Sequence, residues 1–516
     1  MSLADILAAT ETRSLTPLEA AQEESLLSEL SERERMLAAH ARTAHADSTG
    51  AASADLESSR DALLSTQADW SAFRRKIAAK YPIPEGRAVP LEEAQAALSP
   101  SQAIVGWLDV WQKGDTYDSW CYVIRDTGPV TWEHAEAGST LISLGIQSLR
   151  SLLVGDQAAS SQAIYGVSAS ELRELWTQRF KPALGALQGV DALIVIPSSL
   201  MPGVPLEALI SEDEVVLCDQ FSVSYAPSAT AYTCLIRQEA GAPPDQMLLV
   251  GDPPYNPSHL ADMPPDDSQL ASVDRKRGME QLRRALAGNE SALASLTRLA
   301  GTRDEVAGIA SLSEKSVQLL GAEATEQALV RMASSGKISS FGTIHAATHA
   351  IIDPESPERS ALVLSQVGLP DPLDSALSGE RTYDGLLTAK EISREWEIDA
   401  ELVTLSACET GLGKPVTGEG YIGFAHALLQ AGARSLLMSL WGVEDESTSL
   451  LMRRFYENWL GKYDDPRHGR IGEPMPKAEA LQEAKQWLRE YTDDYGLRPY
   501  KHPFFWSPFI LVGNPS

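Results

Sequence analysis

Two apolar runs in this chain end on residues that could do covalent chemistry. Leu402-Val403-Thr404-Leu405 leads through Ser406 and Ala407 to Cys408 and then into Glu409-Thr410-Gly411-Leu412-Gly413-Lys414, while Phe341-Gly342-Thr343-Ile344-His345-Ala346-Ala347-Thr348 ends on His349. A free cysteine, with a pKa of about 8.5, is only a few per cent thiolate at neutral pH, so a nucleophilic thiol needs a neighbouring base or a positive field. His349, at the end of its run where a side chain leaves a sheet, is the candidate base for Cys408. His345 lies inside the same run between Ile344 and Ala346 and reads as a core histidine. Taken alone, Cys408 also reads as an inert buried thiol; Gly411 and Gly413 favour the reactive reading, because they let a substrate backbone come close. Acyl transfer further requires donors aimed at the developing oxyanion, and the backbone N–H groups of Cys408 and Ala350 are placed for this.

Two other chemistries fit less well. His345-x-x-x-His349 with Cys408 has the character of a metal-ligand set, but a zinc helix motif carries glutamate after its first histidine, where this chain has Ala346. No G-x-S-x-G follows any strand-like run, which removes the usual serine-hydrolase signature. The expectation is a site without metal or organic cofactor.

Strand ends can present such residues only if the runs are buried strands of an α/β sheet. The runs AIVGWLDVW, WCYVIRD, DALIVIPSS, Gln246–Asp252, SVQLLG, the histidine run, the cysteine run, ARSLLMSLW and the closing HPFFWSPFILVGN read as strands. Helical stretches alternate with them: LISLGIQSLRSLLVG, ELRELWTQRFKPALGALQ, 279–300, 302–311 with Thr302 and Glu305 as a capping box, 324–334, 418–431, 446–460 and 477–491. This alternation predicts an α/β layer architecture with a parallel sheet, which gathers functional groups at the carboxyl ends of its strands. Residues 255–285 read as a polar surface loop, and 353–386 as a long loop suited to a lid or a cleavage site. Ahead of these, apolar stripes over Pro17–Ala46 and from Leu56 to Tyr81, separated by DSTGAAS and ended by Pro82-Ile83-Pro84, predict a helical hairpin.

Composition narrows the partners. A net charge of −28 and a pI near 4.7 repel phosphate backbones and anionic membrane surfaces, so neither nucleic acid nor a membrane is the expected partner. No run of apolar residues is long enough to span a bilayer, and MSLADILAATETRSL has neither a basic n-region nor a sustained apolar core. Cys121, Cys218, Cys234 and Cys408 are too scattered for a disulfide framework. A cytoplasmic protein with reduced thiols is expected.

The stretches FGTIHAATHA, AELVTLSACETGLGKPVTGEGYIGFAHALLQAGARSLLMSLWGVEDEST and HPFFWSPFILVGN resemble the CHAT domain, a caspase-like protease domain often attached to tetratricopeptide repeats. The resemblance covers about 99–516 and is densest over 341–350 and 402–448. It implies a caspase-hemoglobinase-like fold with a degenerate caspase-like subdomain over 99–244 and a catalytic subdomain over 245–516, which follow the helical hairpin region expected over 1–98. It implies a cysteine endopeptidase whose dyad is His349 and Cys408, acting on a protein or peptide. A protease that was always on would harm its own cell, so a gated state is expected, released by a regulatory partner, a ligand or processing, with the 353–386 loop or the N-terminal hairpin as regulator. It also implies that extended substrate pairs along Ser439, Trp441 and Val443, and that Asp445 receives a basic P1 side chain. Helix capping is the competing role for Asp445. The family usually has glycine after the histidine, and this chain has Ala350, which keeps its N–H unless the backbone there requires positive φ. A catalytically silent module that binds a partner through the hairpin is the alternative from another class, and a transpeptidase or ligase is a third.

Overall fold

The structure is a computed structural model. It describes 88–516 apart from 113–115, 136–168, 198–200, 257–258, 260–295, 354–356, 371–380, 407–413, 417–419, 443–444 and 464–471, with isolated helical positions between Gln22 and Thr66. The chain divides into two compact units, Met1–Arg87 and Ala88–Ser516. In the first, isolated positions of both expected helices are helical, with an Arg33–Glu29 i,i+4 ion pair at 3.2 Å and Thr66 Oγ1 donating to the Ala62 carbonyl at 3.2 Å; the other residues of the expected hairpin lie outside the described residues, as does the expected helix over LISLGIQSLRSLLVG.

The second unit is built on one large sheet. Its strands in chain order are β1 Gln102–Gln112, β2 Thr116–Ile124, β3 Thr131–Ala135, β4 Ala192–Ile196, β5 Ser222–Tyr225, β6 Met247–Gly251, β7 Ser316–Leu320 and β8 Thr343–Ala347. Then follow β9 Ala350–Ile351, β10 Ala361–Val363, β11 Leu386–Thr388, β12 Leu402–Ser406, β13 Lys414–Val416, β14 Gly420–Ile422, β15 Ser435–Ser439 and β16 Phe509–Gly513. Eleven of them pair in the order β3-β2-β1-β4-β5-β16-β15-β12-β8-β6-β7. The pairs are parallel except β3-β2, β2-β1 and β16-β15. The fold is therefore α/β with a mostly parallel sheet, as the alternating pattern predicts.

The central strands read as near-continuous apolar runs, as strands buried on both faces do, with polar positions such as Thr343, His345 and Thr404 buried among them. β6, β8, β12, β15 and β16 are buried at every position, whereas β3 at the sheet edge is exposed through its middle. Four helices matter for the site: α1 Gly301–Ala310, α2 Phe424–Ala431, α3 Asp445–Trp459 and α4 Lys477–Glu490. α3 packs between α1 and α4, and its Leu451, Phe455 and Tyr456 are fully buried. α2 begins later than the pattern over 418–431 predicts, because Gly420–Ile422 pairs as β14 and Gly423, at φ 121°, has a backbone no helix continues through.

Chain order changes direction beside the site. β7 adds on one side of β6 and β8 on the other, which makes the β6/β8 boundary a topological switch point, where open α/β sheets leave a crevice at their carboxyl ends. The sequence boundary expected near 244 falls between β5 and β6, and β16 pairs with β5 on one side and β15 on the other.

The loop expected over 353–386 carries structure of its own. β9, β10 and β11 form a three-stranded antiparallel sheet, and Arg381 ties its far end down through Glu391 at 2.8 Å and through Glu395. Glu326 accepts the N–H groups of Asp384 and Gly385 at 3.1 and 2.9 Å.

Candidate active site

Parallel pairing sets three strand ends in one row. Gly251 of β6 is opposite Ala347 of β8, and Ala347 is opposite Ser406 of β12. His349 follows two residues beyond Ala347, and Cys408 two residues beyond Ser406. Cys408 and Val443 lie outside the described residues. The strand ends that deliver the histidine and the cysteine are nearest neighbours in the sheet.

His349 is held by two residues the sequence reading did not single out. Its backbone N–H donates to Tyr255 Oη at 3.3 Å, and the two rings lie 4.8 Å apart at 56°. Its Nε2 is 2.9 Å from the Thr297 carbonyl oxygen. A carbonyl only accepts, so the ring donates from Nε2 and, when neutral, keeps its lone pair on Nδ1. Burial holds the His349 pKa below the ordinary 6.5, opposed by the Thr297 contact and by the charge of Asp445. Tyr255 belongs to the stretch expected to be surface loop, yet it is 1% exposed, packs against Val363 and Leu386, and shares a 3.0 Å hydrogen bond with Thr348 Oγ1.

Ala350 sits in β9 without strain. Among the described residues the only non-glycine positions with positive φ are Glu214 and Asp252, so the backbone after His349 is one that alanine adopts freely. The Val363 N–H donates to the His349 carbonyl at 2.8 Å, which makes the adjacent Leu362/Ala350 pair non-hydrogen-bonded and turns the Ala350 N–H away from β10.

Beneath the site, His345 is fully buried, with Nδ1 3.3 Å from Tyr456 Oη and Nε2 3.0 Å from Glu305 Oε1, the latter contact off the line of a hydrogen bond. Tyr456 Oη also meets Thr404 Oγ1 at 2.8 Å. His345 is a core histidine, as read from its flanks, and its partners differ from those of His349. Thr302 and Glu305 do not form the expected capping box: Thr302 Oγ1 accepts from the Asp252 N–H and donates to the Leu299 carbonyl, and Glu305 turns inward to His345.

Asp445 opens α3 but serves a different helix. Its half-buried carboxylate accepts the N–H of Gly301, the first residue of α1, and lies within electrostatic reach of His349. Burial raises its pKa and neighbouring Glu305 adds to that, while the Gly301 N–H and His349 lower it. Ser439 ends β15, and Trp441 follows it. Ser439 is paired with Phe509, its hydroxyl donates to the Trp441 carbonyl, and the Trp441 indole is buried against Phe504 with Nε1 donating to the Phe504 carbonyl at 3.1 Å. β16 pairs with β15 as far as Ser439, and the side chains of Ser439 and Trp441 are both buried.

The CHAT domain family matches residues 169–514, more than half of the chain. The chain belongs to the CHAT domain family. Within this CHAT chain a stretch of 147 residues is 27% identical to tetratricopeptide repeat protein 28 of Homo sapiens, covering 27% of this chain and 5% of the human one. The chain thus spans a small part of that relative's length. Among solved structures, the CHAT chain is similar to one in the Saccharomyces cerevisiae separase-securin complex, at TM-score 0.35 and 11% identity over 97% of this chain and 27% of that one. It is also similar to the Arg specific cysteine proteinase gingipain R, at TM-score 0.35 and 10% identity over 73% and 74%. The CHAT match begins at 169, so β1 to β3 precede it. Among the described residues no helix is long and apolar enough to cross a membrane.

Proposed function

We propose that this CHAT-family chain is a cysteine endopeptidase with His349 as base and Cys408 as nucleophile. The observation that carries the reading is the row Gly251/Ala347/Ser406, which puts the end of the histidine strand beside the end of the cysteine strand. The His349 tautomer supports it, because a bare Nδ1 is what accepting a thiol proton requires.

In this mechanism Cys408 gives its proton to His349 Nδ1 as sulfur bonds to the scissile carbonyl carbon. The oxyanion takes the N–H groups of Cys408 and Ala350. When the carbon–nitrogen bond breaks, the imidazolium returns its proton to the leaving amine. Water then attacks the thioester, losing a proton to His349, and the carboxylic acid product and the free thiol emerge. Metal and organic cofactors have no part in these steps.

Asp445, a half-buried carboxylate beside Glu305, gains from any cation brought next to it, and a P1 Arg or Lys is the natural candidate. The loop over 353–386, tied down at Arg381, is the proposed gate, opened by a partner, a ligand or cleavage, in a cytoplasmic setting.

New protein N-termini in lysate treated with wild-type chain, compared with Cys408→Ala, test the proposal. Termini unique to the wild type are expected. Identical sets, with the candidate activators present, would replace the protease by a catalytically silent partner-binding module.

A further inference from the structure

Thr297, whose carbonyl fixes the His349 ring, sits in a stretch, Leu296 to Ala300, that belongs to no helix or strand. Leu296 and Leu299 pack against the Tyr255 cluster, but apolar contact has no direction and does not aim a carbonyl. Several directional restraints on this stretch converge on Asp252.

Asp252 follows the last residue of β6 and is fully buried. It sits at φ 52°, a left-handed backbone that aspartate tolerates better than most residues. Arg298 grips it as a fork, Nε to Oδ1 at 2.8 Å and Nη2 to Oδ2 at 2.7 Å, and Arg303 Nε adds a third bond to Oδ2 at 2.8 Å. The Asp252 N–H donates to Thr302 Oγ1 at 2.9 Å, and Thr302 in turn donates to the Leu299 carbonyl at 2.7 Å. One residue therefore holds 298, 302 and 303, and Thr297 is bonded directly to Arg298. Because Gly251 pairs with Ala347, Asp252 and His349 leave adjacent strands at the same end of the sheet, and the 297–303 stretch bridges them.

A buried ion pair is weak evidence for stability, since desolvation offsets most of its attraction, but a two-pronged arginine fork fixes orientation well. We propose that Asp252 is a positioning residue, which through Arg298 aims the Thr297 carbonyl at His349 Nε2 and so sets the tautomer of the base. The proposal rests on the reading of His349 as the base. Asp252 touches neither substrate nor nucleophile in it.

The test is ring-nitrogen NMR of the full chain labelled in histidine, with the His349 signal assigned by its loss in His349→Gln. In the wild type the neutral ring is expected as the Nε2–H tautomer. In Arg298→Gln the ratio of the two neutral tautomers is expected to move about five-fold toward Nδ1–H, the value of one ordinary hydrogen bond. Arg298→Lys, which keeps the charge but not the fork, should fall between. Asp252→Asn should match or exceed Arg298→Gln. If it does not fold, Arg298→Gln decides alone, because Asp252 then keeps its bonds to Arg303 and Thr302. An unchanged ratio in folded Arg298→Gln, or a wild-type ring not in the Nε2–H form, overturns the proposal. The measurement needs no substrate. A shifted tautomer together with no Cys408-dependent cleavage by the wild type would keep the clamp and remove the protease; cleavage with an unmoved tautomer would do the reverse.

Discussion

A Cβ built on Gly301 would lie 2.5 Å from the Cβ of Asp445. Glycine is therefore required there by close approach, and the approach is what lets the Asp445 carboxylate reach the first N–H of α1 while lying within electrostatic reach of His349. Gly301→Ala should push Asp445 off its place and lower kcat/KM by about 100-fold, the scale at which an ångström of misplacement acts. Gly308, in the same helix, has its nearest neighbour, Arg453 Cδ, at 3.6 Å. Gly308→Ala should stabilise the protein by about 0.5–1 kcal/mol with activity intact. Thermal melting and initial rates on one substrate separate the two.

Asp445 also bears on how His349 titrates. Burial depresses the His349 pKa and the Asp445 charge pulls it back up, so Asp445→Asn should move the His349 titration to still lower pH. The folded state binds fewer protons than the unfolded one over that interval, so this histidine costs stability as pH falls below the unfolded value of 6.5 and costs nothing above it. Following the His349 ring signal against pH in a Cys408→Ala background isolates the histidine from the thiol. A titration that moves upward in Asp445→Asn would contradict the assigned proximity.

Specificity gives an independent reading of the same carboxylate. Wild-type chain should cleave peptides with P1 Arg or Lys in preference to matched P1 Gln peptides, and Asp445→Ala should lose that preference. A preference that survives the substitution, or a wild type without one, removes Asp445 from the pocket and leaves it as the cap of α1 alone.

The far end of the 353–386 loop should respond to pH through Glu326. Burial, with Asp384 and Glu391 adding repulsion, pushes its pKa up to about 8, and Asp384 is raised to about 6. The two N–H groups of Asp384 and Gly385 that Glu326 accepts, together with Arg381, are too little to reverse this. A carboxyl group with a raised folded-state pKa contributes stability below the unfolded value of 4.5 and loses it as pH rises to about 8. Glu326→Gln should flatten the fall in melting temperature across that interval. Parallel curves for the two proteins would place the titrating group elsewhere.

At the other end of the sheet, Arg179 and Asp109 form a bidentate pair at 2.7 Å with almost no exposure of either side chain. Asp109→Ala leaves the guanidinium buried without its counter-charge and should cost about 3–5 kcal/mol, read as a drop in the urea midpoint at unchanged m-value.

The sequence made some of this legible and hid the rest for physical reasons. β4, β6, β8, β12, β15 and β16 stand out because strands covered on both faces are apolar throughout, and His345 reads as buried from Ile344 and Ala346 beside it. β5, with SVSY, and the short strands β9 to β11 do not stand out, since their identity comes from pairing partners distant in the chain. The surroundings of His349 were invisible for the same reason. Tyr255, just after β6, and Thr297, just before α1, reach it from separate segments, and neither period nor spacing relates them to it. Thr302 and Glu305 have the spacing of a capping box, but a buried Asp252 N–H and a buried His345 claim them instead. Nothing local to Ser435–Ser439 announces that β16, from the end of the chain, returns to pair with it.

That return also governs how the molecule can assemble. Val512 of β16 lies opposite Tyr225 of β5, and Leu436 to Met438 of β15 take its other side. Contacts so far apart along the chain form late, since the entropy of closing the intervening loop is lost before pairing gives anything back. Until β16 inserts, β5 and β15 each present an open edge, and the strands carrying His349 and Cys408 lack a finished flank. Refolding should therefore show a slow final step that restores both groups of strands together, and any reactive thiol should stay silent until it is complete.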